Sequence, residues 1–220
     1  MKPTSVLTDI QTKFLKLFSE SGLTSQYYLT GGTALAGFYL PYRLSDDLDF
    51  FSENEIDLFA VTTFLKSIKN PLNFREMDIN TSFNRNLVFL KFDNFVLKTE
   101  FTYFPFPQIE RPELYLNVKI DSPIDIAANK LFTIYQKPRS RDFMDLYLLC
   151  QKKKVSLKDA IKKAKIKFDW HIDPIKLGSQ FLLATELKDY PHLQINLKEK
   201  DWQNFFLDEA KKLKSEILSA

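Results

Sequence analysis

The sequence is poor in the residues that build disulfides, zinc clusters and histidine sites. Its 220 residues contain a single cysteine, Cys150, and two histidines, His171 and His192. One cysteine excludes an internal disulfide and a cysteine-based zinc cluster. The histidines have no partners at ligand spacing, so the sequence offers no support for a histidine metal site or a Ser-His-Asp triad. The setting of Cys150, DLYLLCQ, predicts a buried helical thiol.

The sequence also lacks long apolar runs and a strong charge of either sign. No uncharged run of about twenty residues is present, and the N-terminal segment has no signal-peptide core. We therefore expect a cytoplasmic protein with no membrane partner. The net charge is only +3, from 31 basic and 28 acidic residues, which neither demands nor excludes nucleic acid. Against only 5 glycines stand 21 phenylalanines and 9 tyrosines, which favour an aromatic core over a stacking platform.

Two aspartates separated by one residue are the first candidate site. In a strand side chains alternate between faces, so Asp47 and Asp49 point the same way while Leu48 and Phe50 turn into the core. Alone, such a pair is most often a solvated strand end. Two carboxylates on one face nevertheless suit a hard cation, Mg²⁺ or Mn²⁺, and the phosphoryl or nucleotidyl transfer that such ions assist.

A diglycine precedes the aspartates in the run GGTALAGFYLPYRLSDDLDFF. Gly31 and Gly32 have no Cβ and let the backbone approach a ligand closely, and Thr33 opens a short helical run whose free N–H groups would face a nucleoside triphosphate. An isolated Gly-Gly is most often only a turn. Here the order strand, turn, helix, strand brings glycines and carboxylates to one edge, and that combination is far more specific.

At these residues the chain resembles the AbiEii/AbiGii toxin family of nucleotidyltransferases, a branch of the DNA polymerase β-like superfamily. The family's GGTAL run stands here as Gly31–Leu35, and its Arg-x-Ser-x-Asp-Leu-Asp-Phe-Phe run as Arg43–Phe51, although Tyr42 replaces the usual histidine. The resemblance implies an α+β fold. A polymerase β-like nucleotidyltransferase lobe, a mixed sheet flanked by helices, would occupy residues 1–120, and a mainly helical lobe residues 121–220.

A second segment, IDIAANKLFTIYQKPRSRDFMDLYLL, matches the same family. By resemblance Lys130 becomes a nucleotide phosphate contact and Asp142 an active-site acid, with Asp145 as a further candidate for the same role. Asn129 stands where an acid is common, so no role is assigned to it. Without the resemblance, Lys130 would be interpreted as a lysine that covers apolar surface, and Asp142 as an acid stabilising a helix N-terminus.

Three further residues complete the predicted site. Glu100, late in a predicted strand, fits the third metal ligand of the resembling family and could help deprotonate the acceptor. The alternative is a solvent-facing glutamate beside Lys98. Arg43 is a candidate phosphate contact that could equally pair with a neighbouring aspartate, and Ser45 is assigned to nucleotide binding with it.

Local patterns predict the remaining elements. Five lysines between positions 158 and 167 are interpreted as a solvated helix face, with a polynucleotide contact as the alternative. The proline-rich segment 105–115 is predicted as a loop or crossing segment. Helices are expected at 5–20, 122–136, 140–153, 156–166, 173–186 and 200–217, and a further helix should run from a capping box at Ser52–Glu55 to Lys69. Strands are expected at 27–30, 72–78, 85–92 and 95–103. The last two should form a hairpin that turns at Asp93-Asn94.

The leading hypothesis is a metal-dependent nucleotidyltransferase that moves a nucleoside monophosphate from an NTP to an acceptor. The resemblance implies a toxin of a toxin–antitoxin or phage-defence pair, an RNA acceptor such as tRNA, and a separately encoded antitoxin. A small-molecule transferase, for example one modifying an antibiotic, is the enzymatic alternative. An inactive RNA-binding or partner-binding module is the non-enzymatic one. A metal-dependent phosphohydrolase is weaker, because the usual histidine ligands are missing.

Overall fold

The computed structural model describes residues 1–218, with side-chain surroundings described as far as Lys214. The chain divides into two compact units, of which the first is Met1–Ser122 and the second begins at Pro123. Within the described residues, no helix is long and apolar enough to cross a membrane.

The first unit is an α/β layer built on one sheet. Its elements are α1 (Asp9–Ser19), β1 (Tyr28–Thr30), α2 (Gly31–Phe38), β2 (Leu48–Ser52), α3 (Leu58–Ser67), α4 (Lys69–Leu72), β3 (Glu76–Ser82), β4 (Arg85–Lys91), β5 (Val96–Tyr103), β6 (Glu113–Tyr115) and β7 (Val118–Ile120). The strand order is β3-β4-β5-β2-β1-β7-β6. The β1–β7 and β2–β5 pairs are parallel and the other pairs antiparallel, so the predicted mixed sheet of an α+β fold is confirmed.

Aromatic packing holds one face of this sheet against α1 and α3. Phe50 of β2 and Phe101 of β5 stack with ring centroids 5.3 Å apart, and Phe18 of α1 lies 4.4 Å from Phe50. Phe14 and Phe64 close the cluster edge-on at 5.8 Å. Truncating a buried phenylalanine of this kind costs about 3–5 kcal/mol. Because side chains alternate along a strand, the neighbours of Phe50 and Phe101 point to the opposite face of the sheet. The aromatic core therefore supports the strands that carry that face.

The predicted capping box at Ser52–Glu55 is wrong. Ser52 is the last residue of β2, and its hydroxyl accepts a hydrogen bond from the backbone N–H of Asn54 at 3.1 Å, which closes a local turn. The helix begins at Leu58 instead, where the Asp57 carboxylate accepts from the N–H of Ala60 at 3.0 Å. A serine followed by an acid three residues later forms a cap only if the chain has already left the sheet.

Other boundaries also moved. The predicted helix at 5–20 begins only at Asp9, because Thr8 and Gln11 form a capping box there. The predicted strand at 72–78 starts at Glu76, since α4 ends in a left-handed residue, Asn73, with φ 64°. Strands β6 and β7 lie at and beyond the end of the proline-rich segment and were missed. At three residues each, they are too short to show an alternating pattern.

The second unit is helical, as predicted. It contains α5 (Pro123–Gln136), α6 (Ser140–Lys152), α7 (Leu157–Lys167), α8 (Pro174–Leu182) and α9 (Glu199–Leu218). Four of the five lysines of the basic run are exposed on α7. Lys167 departs from the predicted solvated face, because it is buried and its Nζ lies 2.8 Å from Oδ1 of the buried Asp125.

Candidate active site

The face of the sheet opposite the aromatic core carries a row of polar residues. In the strand register Thr30 of β1 lies opposite Asp49 of β2, and Asp49 lies opposite Glu100 of β5. Neighbouring strands are about 4.8 Å apart, so these three side chains emerge side by side. Two residues before Glu100, Lys98 emerges on the same face of β5. The row defines the candidate site.

Asp47, the residue just before β2, extends this row. Its Oδ2 accepts a hydrogen bond from Lys98 Nζ at 2.7 Å, and both side chains are about one-third exposed. Leu48, between the two aspartates, is fully buried. Asp47 and Asp49 therefore project from the same side of the strand, as the alternation predicts.

The two glycines bring the start of α2 against the acids. Gly31 has φ 70°, and a β-carbon placed on it would lie closer than 3.0 Å to Asp49 Oδ2. A β-carbon on Gly32 would lie 2.5 Å from Arg43 Nη2 and 2.7 Å from Ser45 Oγ. The structure thus brings together five of the predicted site residues at the beginning of one helix. The first N–H groups of a helix have no partner within it and attract anions.

Thr33 has a more specific task than its position suggested. Its side chain is buried, and its hydroxyl donates to the carbonyl oxygen of Asp47 and, at 3.4 Å, to that of Ser45. The hydroxyl therefore fixes the segment that carries the first aspartate. A contact of Thr33 with a triphosphate would have to use its backbone N–H in the first turn of α2.

Arg43 is held in a fixed orientation by its neighbours. It is only 3% exposed, its Nε donates to the hydroxyl of Tyr42 at 3.1 Å, and its Nη1 donates to the carbonyl oxygen of Leu44 at 2.9 Å. Tyr42, which stands where the resembling family usually carries histidine, thus acts as the acceptor that orients the guanidinium. An arginine held in this way is pre-organised for an anion.

Glu100 accepts hydrogen bonds from two neighbours on the sheet, Arg85 and Thr102. Arg85 of β4 donates from Nε to Oε1 at 2.8 Å and from Nη2 to Oε2 at 2.5 Å, and the hydroxyl of Thr102 also donates to Oε1. Burial alone would raise the pKa of Glu100, but the hydrogen bonds from Arg85 and Thr102 outweigh it and hold the pKa below its ordinary value. The hydrogen bond to Glu100 in turn raises the pKa of Arg85. Glu100 is therefore a buried, charged partner and not the solvent-facing glutamate of the alternative interpretation.

The donor set fits a divalent cation at the two aspartates. Asp47 and Asp49 offer carboxylate oxygens, the ligands that Mg²⁺ and Mn²⁺ prefer, beside a glycine turn with room for a ligand. Across the described residues, no three side chains of metal-ligating type converge on one point. Glu100 faces Asp49 in the register but is turned to Arg85, which accounts for the missing third ligand.

The site residues predicted in the second unit form a group of their own. Lys130 Nζ of α5 lies 2.7 Å from Asp142 Oδ1 and 2.7 Å from Asp145 Oδ2, both on α6 and fully buried. Arg139 Nε adds a contact of 3.0 Å to Asp142 Oδ2. The three residues named by the resemblance therefore form a buried ion cluster, in which the charges of Lys130 and Arg139 together balance those of the two acids.

Three residues of the polar face escaped the sequence analysis as parts of the site. Lys98 could have been noticed, because it lies two residues before Glu100 on the same predicted strand, whereas Arg85, with Leu87 two residues on, gave no such signal. Asp121 gave no local signal beyond its place before a helix cap. It is buried at the end of β7, where Thr30 Oγ1 donates to Oδ2 at 2.6 Å and Gln108 Nε2 donates to Oδ1 at 3.0 Å.

The family of the chain is shown by a match to a known family model. The family model described as "Nucleotidyl transferase AbiEii toxin, Type IV TA system" matches residues 13–216. The chain belongs to the AbiEii family. The resemblance stated from the two sequence motifs is therefore confirmed, and so is the enzyme class, a nucleotidyltransferase.

Relatives of this AbiEii chain extend over most of its length. A protein of Aquifex aeolicus (strain VF5), described as uncharacterised, is 32% identical over 162 residues, which cover 72% of this chain and 74% of its own. A Helicobacter pylori crystal structure, provisionally described as a nucleotidyltransferase, is 19% identical with a TM-score of 0.62 and covers 97% and 98% of the two chains. JHP933 from Helicobacter pylori is 21% identical with a TM-score of 0.61, covering 96% and 93%. At these identities the two structures show a shared fold.

Proposed function

We propose that this AbiEii chain transfers a nucleoside monophosphate from an NTP to a hydroxyl of an RNA acceptor, such as tRNA, with Mg²⁺ or Mn²⁺ as cofactor. The observation that carries the proposal is the seating of Asp49 against Gly31 at the start of α2, with Asp47 on the same strand face. That arrangement sets anion-binding N–H groups beside cation-binding carboxylates, and a metal nucleoside triphosphate needs both.

The chain's own residues divide the work of the transfer. Asp47 and Asp49 would hold the cation, which when bound would neutralise charge on the triphosphate. The N–H groups at Gly31, Gly32 and Thr33 would bind phosphate oxygens. The acceptor hydroxyl attacks the α-phosphorus and gives up its proton to solvent water, the bond from that phosphorus to the bridging oxygen breaks, and pyrophosphate leaves with the electron pair.

Two cationic side chains and one hydroxyl support the same assignment. The guanidinium of Arg43 and the hydroxyl of Ser45 both lie against Gly32, where they would contact phosphate oxygens close to the helix start. Lys98, which pairs with Asp47, would be free to bind phosphate once a cation replaces it there. Glu100 is a poor base in its present pairing, because its lowered pKa disfavours taking a proton from the acceptor.

The biological role follows from the family. The matched family is described as the toxin of a type IV toxin–antitoxin system, so we infer that a cognate antitoxin protein opposes this chain. The family description names no acceptor, so the RNA acceptor is our proposal.

The decisive experiment is a transfer assay with each of the four α-³²P-labelled NTPs, Mg²⁺ or Mn²⁺, and total RNA. We expect label in an RNA band for the wild type and a loss of at least about 10³-fold for Asp49→Asn, since that change removes a charged ligand of the reacting metal nucleotide. Asp46→Asn is the matched control, because Asp46 is an exposed acid beside the site. Its activity should match that of the wild type.

The same assay separates the alternatives. Label in a small acceptor and not in RNA would indicate a small-molecule transferase. Retention of RNA on the protein with no release of labelled product or pyrophosphate, under any nucleotide and metal, would indicate an inactive binding module and overturn the proposal.

A further inference from the structure

The pairing of Arg85 with Glu100 occupies the carboxylate that faces Asp49. Oε1 of Glu100 accepts hydrogen bonds from Arg85 Nε and from Thr102, and Oε2 accepts one from Arg85 Nη2 at 2.5 Å. A carboxylate offers about four lone-pair positions, two on each oxygen. Three of the four are therefore in use, and Oε1 has none left for a cation.

The pairing with Arg85 affects the candidate cation site because of where Glu100 lies. Glu100 lies directly opposite Asp49 in the parallel β2–β5 pair, at the usual strand separation of about 4.8 Å. From there a carboxylate turned toward Asp49 would share a cation with it. Arg85 instead reaches diagonally from β4, where its register partner is Thr102, and draws Glu100 to the other side.

The two partners differ sharply in exposure. The side chain of Glu100 is 6% exposed, whereas that of Arg85 is 55% exposed. The guanidinium of Arg85 is held by Glu100, while more than half of the arginine side chain faces solvent. An arginine fork binds phosphate oxygens in the same bidentate manner as it binds a carboxylate. A triphosphate beside Asp49 would therefore compete with Glu100 for Arg85.

We propose that Arg85 is a positioning residue that withholds Glu100 from the cation site until a nucleotide is bound. The chain alone binds one divalent cation, on Asp47 and Asp49. It admits a second, between Asp49 and Glu100, only after a triphosphate has drawn the guanidinium away. This inference rests on the proposed function and adds an order of loading to it: first cation and nucleotide, then second cation.

Electron paramagnetic resonance of Mn²⁺ tests the proposal without any turnover. Two Mn²⁺ ions about 4 Å apart share ligands and give a spin-coupled spectrum, whereas a single bound ion gives the uncoupled six-line pattern. We expect the uncoupled pattern for the wild-type chain with Mn²⁺ alone, and the coupled spectrum after a non-hydrolysable NTP analogue is added. Arg85→Gln, which removes the charged fork, should give the coupled spectrum with Mn²⁺ alone.

Matched variants make the result specific. Arg75→Gln is the control, because Arg75 is an exposed arginine that pairs with Asp93 and lies outside the polar row, and it should behave as the wild type. Adding Glu100→Gln to Arg85→Gln should restore the uncoupled pattern, because the second site loses its ligand. Circular dichroism confirms folding. If Arg85→Gln does not fold, the two wild-type spectra decide.

The outcomes separate this proposal from the proposed function. A coupled spectrum for the wild type without nucleotide, no coupling after the analogue is added, or an uncoupled spectrum for folded Arg85→Gln would overturn the role of Arg85 alone. Wild-type Mn²⁺ binding that Asp49→Asn leaves unchanged would overturn the metal assignment, and the role of Arg85 with it. Spectra as expected, with no transfer to any acceptor, would leave the role of Arg85 standing and refute the transferase activity.

Discussion

Gly31, where β1 passes into α2, lies against the side chain of Asp49 on β2. A β-carbon on Gly31 would lie closer than 3.0 Å to Asp49 Oδ2, and the φ of 70° places Gly31 in the left-handed region. Both constraints favour glycine, one through space and one through backbone conformation. The contact places the N-terminus of α2 beside the Asp49 carboxylate, which is a proposed cation ligand.

Substituting Gly31 by alanine should therefore harm both stability and activity. We expect Gly31→Ala to lose about 1–3 kcal/mol of unfolding free energy from backbone strain, measured by urea denaturation. Transfer should fall by at least about 10²-fold, because Asp49 must move. In the control Gly22→Ala, a β-carbon would meet no described atom within 4 Å, and both properties should stay near those of the wild type. Full activity in Gly31→Ala would show that the contact is incidental.

The buried pair of Lys167 and Asp125 should contribute strongly to the stability of the second unit. Lys167→Met leaves the Asp125 carboxylate buried without its ammonium partner, which typically costs about 3–5 kcal/mol. Urea denaturation with the midpoint read by circular dichroism measures the loss. Lys163→Met, on the exposed face of the same helix, should change the unfolding free energy by no more than about 0.5 kcal/mol. Equal effects of the two substitutions would contradict the burial of Lys167.

The cluster of Lys130 with Asp142 and Asp145 makes a parallel prediction. Lys130→Met should destabilise the chain by about 3–5 kcal/mol, because two buried carboxylates lose their shared cation. Lys130→Arg keeps the charge and should fold. The KM for NTP of this folded variant then tests the predicted phosphate contact, since a contact through the ammonium would raise KM and a purely structural role would not.

Cys150 should be chemically inert in the folded chain. Cys150 is half-buried on α6, not fully buried as predicted, and this burial, with a smaller contribution from the charge of Glu209, raises the pKa of its thiol to about 12. The thiolate is the reactive form, so at pH 8 the folded chain holds almost none of it. We expect slow reaction with Ellman's reagent in buffer and rapid reaction in denaturing urea. A native rate close to the denatured rate would show that the thiol is accessible and its pKa ordinary.

The predictable part of the site is the part that local geometry controls. Asp47 and Asp49 share a face because a strand has a period of two, and that rule needs no knowledge of neighbouring strands. The glycines before a short helix are equally local. Helix α5 was also predictable, since a serine before the helix, a proline at the first helical position and an acid in the first turn each occupy a favoured helix-start position.

Sequence distance explains what was missed. Arg85 and Glu100 are fifteen residues apart and meet diagonally across an antiparallel pair, so only the register of β4 and β5 brings them together. Ser52 carried a valid capping signal, but pairing of β2 with β5 kept it in the strand. In both cases a contact between residues far apart in the sequence decided the outcome.

By itself, the sequence determined the family, the α+β class and the presence of two aspartates on one strand face beside a diglycine turn. These follow from motif residues and from the fixed periods of helix and strand. Only the tertiary structure decided which charges meet: Lys98 with Asp47, Arg85 with Glu100, and Lys130 with its two acids. The physical reason is that an ion pair depends on the distance between two side chains, and strand register and helix packing set that distance.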